Sequence, residues 1–112
     1  MAVESGDDVG VTWRTLTSAD RTATCMLTSG VCVIVPGGVL DLHRDAPLEL
    51  YYFLEGTGIV TLGESERGVG PGTAIWISGN TPHGIRNDSA SLLKRLYGFP
   101  VDAFSNVEYE VR

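Results

Sequence analysis

The chain has 112 residues, 43% hydrophobic and 20% charged, which suits one packed domain and leaves no room for a second. The formal net charge of −6 excludes the basic surface that nucleic acid or an anionic membrane requires. No apolar run approaches the ~18 residues of a membrane span, and residues 1–10 are acidic without the apolar stretch of a secretory signal, so a cytoplasmic protein is expected.

Fourteen glycines and five prolines lie singly between short apolar runs, which predicts many turns and hence an all-β chain. Residues 1–10 read as a polar lead-in to a single domain spanning 1–112. Val9–Leu16 alternates as a strand. Thr22–Thr28 and Val31–Val35 flank Ser29-Gly30 and read as a hairpin, with Cys25 opposite Ile34. Cys32 then lies diagonally from Cys25. The pair reads as two small buried hydrophobes in a reducing compartment, the alternatives being a disulfide or a soft metal site. Pro36-Gly37-Gly38 is expected to end that hairpin, and Val39–His43 to form a separate short strand.

Farther on, Glu49–Glu55 (ELYYFLE) is aromatic and β-prone, and Ile59–Leu62 returns after Gly56-Thr57-Gly58. Glu66–Val69 reads as a polar edge strand, within a stretch, Gly63–Gly68, expected to be exposed and without chemistry. Thr73–Ile77 reads as apolar and buried. His83–Arg86 follows the Asn80-Thr81-Pro82 loop, Leu92–Phe99 alternates, and Val107–Val111 closes the series after a possible helical turn at Asp102–Ser105. Nine to eleven short strands without an amphipathic helix, an internal repeat or a linker predict a β-sandwich or barrel. Trp13 and Trp76 are expected in the core or at a dimer interface.

Chemistry concentrates in residues 37–56, GGVLDLHRDAPLELYYFLEG. His43 and Asp45 are two apart on a strand and share a face. Glu49 follows a Pro-containing turn and His83 follows the 80–82 loop. The two histidines of the chain thus both stand beside turns and near acids. Two histidines with carboxylates make a common set for Fe(II), Mn(II), Zn(II) or Ni(II). The other reading is a set of satisfied surface side chains, with Asp45 paired to water or Arg44. Tyr51 and Phe53 share parity with Glu49 and can line the same cavity or simply pack the core. Arg95 and Tyr97 share a face of a late strand. An inward Arg95 could hold a substrate carboxylate bidentately, whereas an edge position would leave it solvated.

The spacing Gly37-x5-His43-x-Asp45-x3-Glu49-x6-Gly56 resembles the first cupin motif, G-x5-H-x-H-x3,4-E-x6-G, with Asp45 replacing the second histidine. Gly72, Ser78, Asn80, His83 and Asn87 follow the spacing of the second, G-x5-P-x-G-x2-H-x3-N, with Ser78 and Asn80 replacing its Pro and Gly. The chain is thus similar to small single-domain cupins of the type-2, RmlC-like superfamily. That resemblance implies a double-stranded β-helix (jelly-roll) barrel with one divalent metal ion on His43, Glu49 and His83.

Asp45 is a fourth ligand if its shorter side chain reaches. Two carboxylates would favour a harder ion, Fe(II) or Mn(II), over Zn(II) or Ni(II). If Asp45 falls short, two histidines and one carboxylate match the facial triad of non-haem Fe(II) oxygenases, and Asp45 is left to act as a base. The expected function is therefore a metal-dependent enzyme acting on a small carbonyl- or carboxylate-bearing molecule. Dioxygenase chemistry stands first, with isomerase or lyase chemistry through an enolate next and a non-catalytic small-molecule or sugar binder as the third reading. Asp45 or Tyr51 would move protons, and Tyr51, Phe53, Arg95 and Tyr97 would contact substrate. Open sheet edges suggest a homodimer, with the N-terminal strand as a candidate swapped element. No G-x-S-x-G, P-loop or G-x-G-x-x-G segment is present, and two histidines without a reactive-cysteine context argue against a hydrolytic triad.

Overall fold

The computed structural model describes residues 4–5, 9–17, 28–100 and 109–111, with side chains at 10–16 and 28–100. The described residues form ten strands and no helix: β1 Glu4–Ser5, β2 Val9–Thr17, β3 Thr28–Asp45, β4 Glu49–Glu55, β5 Gly58–Leu62, β6 Ser65–Val69, β7 Ala74–Ile77, β8 His83–Arg86, β9 Leu93–Phe99 and β10 Tyr109–Val111. All pairings are antiparallel. With no helix, nothing described is long and apolar enough to cross a membrane as one. β1 falls inside the expected lead-in and pairs with β2.

β3 organises the barrel. Its first part, Thr28–Ile34, lies between β2 and β9, and β9 continues to β4 and β7. Its last part pairs with β8 and β10, and β8 continues to β5 and β6. One 18-residue strand therefore serves both walls. The walls meet at Val35-Pro36-Gly37, which are exposed while the residues on either side turn inward. Against β2 the register jumps from Ile34↔Val11 to Val39↔Val9, which marks an irregular bend at the proline and at Gly37, whose φ is +79°.

This geometry corrects two expectations. Ser29-Gly30 is not a hairpin tip, because both residues run straight through the ladder opposite Gly98 and Tyr97. Pro36-Gly37-Gly38 bends the strand without ending it, so Val39–His43 is the far end of β3. Cys32 stands between Trp13 and Arg95 and is buried, as expected. Cys25 and the possible turn at 102–105 lie outside the described residues.

The core consists of Val11, Cys32, Ile34, Leu40, Tyr51, Phe53, Val60, Val69, Ile75, Ile77, Ile85, Leu93, Tyr97 and Phe99. Alternation decides membership. On β4, Glu49, Tyr51 and Phe53 point in while Leu50, Tyr52 and Leu54 point out. β7 alternates as well, so its expected full burial is wrong: Trp76 is 63% exposed, and Trp13 is only partly buried against the core. Ser65–Gly68 is exposed, and β6 covers the expected polar edge strand at Glu66–Val69.

Asn87 locks the bend in place. Its backbone N–H donates to Gly38 O, and its carbonyl accepts from Gly37 N–H. Its side-chain amide donates to Ile34 O and Ser91 O, while its Oδ1 accepts from the Ser89 N–H and hydroxyl. At 1% exposure, every one of these bonds replaces water that cannot enter.

Candidate metal centre

Four ionisable side chains converge inside the barrel: His43 and Asp45 from the end of β3, Glu49 from the start of β4, and His83 from the start of β8. All are at most 4% exposed. His43 Nε2 and His83 Nε2 each lie 3.5 Å from Asp45 Oδ2. His83 Nε2 also lies 3.2 Å from Glu49 Oε1. The two imidazole rings are 4.2 Å apart between centroids. One donor atom from each of His43, Asp45 and His83 lies within 4.8 Å of the other two, and Glu49 joins this group through His83.

A change of parity brings two of these side chains inward. Gly38 and Leu40 face the interior, and simple alternation would send His43 and Asp45 outward. Between Leu40 and His43 the ladder to β8 slips its register, so His43 and Asp45 face inward as well. Gly84 on β8 allows this, since a Cβ there would sit 2.9 Å from Leu40 O and 3.2 Å from Leu42 N. The bulge also supplies a carbonyl: His43 Nδ1–H donates to Asp41 O at 2.8 Å.

His83 is set in the same way. Asn80 takes φ +62° where the motif has glycine, a conformation asparagine tolerates, and its N–H donates to Asp45 O. The loop then presents Thr81 O, which accepts from His83 Nδ1–H at 2.8 Å. With both Nδ1 atoms committed to carbonyls, both Nε2 atoms face the centre.

Burial raises the Asp45 carboxyl, but His43 and His83 outweigh it and bring it from 3.8 down to about 2. Burial works against the His83 imidazolium, but Asp45, Glu49 and the Thr81 carbonyl outweigh it and carry it from 6.5 to about 9. Glu49 is raised, first by burial and also by the charge of Asp45. Without an ion, the arrangement holds a proton on His83 Nε2 between two carboxylates.

A divalent cation fits the same place. It would neutralise both acids, take the lone pairs of two oriented imidazoles, and give the buried Asp45 Oδ1, which lacks a hydrogen-bond partner, a use. Asp45 therefore reaches the cluster, and the donors available are two nitrogens and two carboxylates.

The exchange of proton for ion has a measurable pH signature. A histidine raised from 6.5 to about 9 stabilises the metal-free fold fully below pH 6.5 and loses that contribution as pH rises through 9. Metal-free protein is expected to lose roughly 1–3 kcal/mol over that interval, seen as a falling melting temperature. Saturating Mn(II) should flatten this limb, because the ion needs His83 unprotonated. Thermal denaturation with EDTA or Mn(II) from pH 6 to 10 checks it, and parallel curves would count against a shared site.

Around the centre, Tyr51 is fully buried with its ring 5.9 Å from that of His83, and its hydroxyl has no hydrogen-bond partner among the described residues. Burial first, then Glu49, push this phenol well above its ordinary value. Phe53 meets the Tyr51 ring edge-on and stands one step farther from the histidines. Arg95 and Tyr97 both point inward, with Arg95 Cζ 4.1 Å from the Tyr51 ring centroid and 5.9 Å from that of Tyr97. Every residue singled out for the site is thus an inward residue of one barrel. Sequence reasoning missed Gly84 and the Asp41–Leu42 bulge. The signal was there: Leu40 and His43 have opposite parity, yet both belong inside.

Comparison with known proteins agrees with this geometry. A family model described as "Cupin domain" (Cupin_2) matches residues 30–96. The dimethylsulfoniopropionate lyase DddW of Ruegeria pomeroyi is 35% identical over 99 residues, covering 88% of this chain and 64% of that protein. This chain thus spans a little under two thirds of that relative's length. Among solved structures, the polyketide cyclase RemF of Streptomyces resistomycificus superposes with a TM-score of 0.83 at 22% identity, covering 98% of this chain and 78% of that one. A cupin-2 domain protein of Rhodospirillum rubrum does so with a TM-score of 0.82 at 20% identity, covering 100% and 72%. With the barrel, the motif residues and the family match in agreement, the chain belongs to the cupin family.

Proposed function

We propose that the protein is a metal-dependent lyase that eliminates a leaving group placed β to the carboxylate of a small molecule, dimethylsulfoniopropionate being the first substrate to try. The observation that carries this reading is the Tyr51 hydroxyl, buried and unpartnered beside the His43/Asp45/Glu49/His83 cluster. The named activity of the relative from Ruegeria pomeroyi supports elimination ahead of other cupin chemistries. A divalent ion at the cluster, with Fe(II) and Mn(II) tried first, would supply Lewis acidity to a substrate oxygen and a field favouring the Tyr51 phenolate.

The step uses this chain's own groups as follows. After giving up its own proton to solvent, Tyr51 Oη takes, as the phenolate, the proton from the carbon next to the carboxylate. The C–H electron pair becomes the C=C bond, the bond to the β substituent breaks, and that group leaves with its electron pair. From dimethylsulfoniopropionate the products are acrylate and neutral dimethyl sulfide, with the proton on Tyr51. Asp45 is the weaker candidate base, since two imidazoles hold it near 2. Phe53 and the closely packed barrel wall keep water from the phenol.

Dioxygenase chemistry ranks second. It was favoured by a set of two histidines and one carboxylate, and the position of Asp45 adds a second carboxylate to that set. Homodimerisation, suggested by open edges, is part of the proposal and is decided by light scattering on the purified chain.

The test is incubation of anaerobically purified, Fe(II)- or Mn(II)-loaded protein with dimethylsulfoniopropionate, reading dimethyl sulfide by gas chromatography and oxygen by electrode. Metal-dependent release without oxygen uptake is expected. Oxygen consumption with diketone or phenol substrates would reverse the order, and no turnover with any of them would favour the binding-only reading.

A further inference from the structure

The cluster and Tyr51 leave one strong group of the barrel without a task. Arg95 sits at the middle of β9, opposite Cys32 on one side and Phe53 on the other, and is 4% exposed. Burying a guanidinium is costly unless its N–H groups find acceptors. Yet Arg95 Nε and Nη1 have no hydrogen-bond partner among the described residues. Tyr51 and Tyr97 lie against it by their rings, which accommodates the charge over the ring face and leaves Nε and Nη1 unused. Glu49, a carboxylate whose charge acts on it, is bonded to His83.

Charge balance points the same way. Asp45 and Glu49 together cancel a divalent ion, and the imidazoles are neutral when they bind one. While Tyr51 carries its proton, the charge of Arg95 is then left over in the buried interior. A single anion brought by the ligand would balance it, and a carboxylate offers the planar pair of acceptors that a guanidinium fits.

We propose that Arg95, seated between Tyr51 and Tyr97, is the carboxylate anchor of the site, so that the ligand is a small monocarboxylate whose acid group is held by Arg95 and not by the ion. The inference rests on the proposed function for the reaction but not for the binding. It places the carbon next to the carboxylate beside the Tyr51 ring, on which the guanidinium stacks, and aims the rest of the ligand toward the histidines. It also sets specificity: a neutral amide or ester of the same shape leaves Arg95 unpaired and is rejected.

Titration calorimetry of the full chain with propionate and with propionamide, in metal-loaded and EDTA-treated protein, tests the anchor. Propionate is expected to bind both forms, at least about tenfold more tightly than propionamide. Arg95→Gln should lose that preference while keeping its metal content by elemental analysis, and Arg95→Lys should keep part of it. The idea is overturned if the parent fails to prefer propionate, if Arg95→Gln binds propionate like the parent, or if propionate binding vanishes with EDTA. The parent comparison decides the matter even if a variant does not fold. A parent that prefers propionate through Arg95 yet releases no dimethyl sulfide would keep the anchor and discard the lyase reading. Turnover with propionate binding indifferent to Arg95 would do the opposite.

Discussion

Replacing His83 by alanine is expected to empty the metal centre, from near one ion per chain to roughly a tenth or less. His83 Nε2 is the atom that meets both carboxylates, 3.5 Å from Asp45 and 3.2 Å from Glu49. Its loss removes a ligand and also the group that keeps the two acids in one constellation. Asp45→Ala should behave differently. It removes one of two carboxylates and leaves His43, Glu49 and His83, the set implied by the cupin motif, so the ion is retained with weaker affinity. Elemental mass spectrometry on anaerobically purified parent, His83→Ala and Asp45→Ala separates these outcomes, with circular dichroism to show that each variant folds. A parent with no metal near one per chain would remove the centre. Equal loss in both variants would make Asp45 an obligatory ligand.

The candidate metal cluster was legible before the structure because a ligand set needs particular residue types at particular spacings. His43, Asp45, Glu49 and His83 are few and chemically distinct, so their spacing carries information. The strand at 49–55 was legible from composition: ELYYFLE is a short aromatic, β-prone run, and β4 covers it, with the alternation of faces visible only in its burial. The course of β3 was not. Ser29-Gly30 and Pro36-Gly37-Gly38 have the composition of turns, and local composition cannot tell a turn from a strand held straight by neighbours on both sides. Here β2 and β9 clamp residues 29 and 30, and Asn87 holds the bend at 37 and 38.

The missed elements were relations between distant residues. Gly84 matters because Leu40 and Leu42 lie across from it, and Asn80 matters because its left-handed backbone brings Thr81 O to His83. Asp45 shows the same limit from the other side. Its identity was read from the motif, but whether its oxygen reached the histidines depended on the register slip between Leu40 and His43. Trp76 was expected in the core or at a dimer interface, and the parity of β7 rules out the core, putting Ile75 and Ile77 inside and leaving the indole out.

Tyr51→Phe is the substitution expected to separate chemistry from structure most sharply. It removes one oxygen from a side chain that is fully buried and keeps the ring that packs against Phe53, His83 and Arg95. Because the hydroxyl has no hydrogen-bond partner among the described residues, its loss leaves nothing unpaired. Removing an unsatisfied buried hydroxyl is close to neutral or slightly stabilising. The melting temperature should therefore hold or rise, and the metal content should stay unchanged. If Tyr51 Oη takes the substrate proton, kcat should fall by about 10²–10⁴ with little change in KM. Hydrogen–deuterium exchange at the carbon next to the carboxylate, followed by NMR in heavy water, should disappear together with turnover. A variant that keeps exchange but loses product would place Tyr51 after proton removal, at departure of the leaving group. One that keeps both would return the proton to Asp45 or Glu49. Of those two, Glu49 is then the better base, because burial raises it while two imidazoles hold Asp45 near 2.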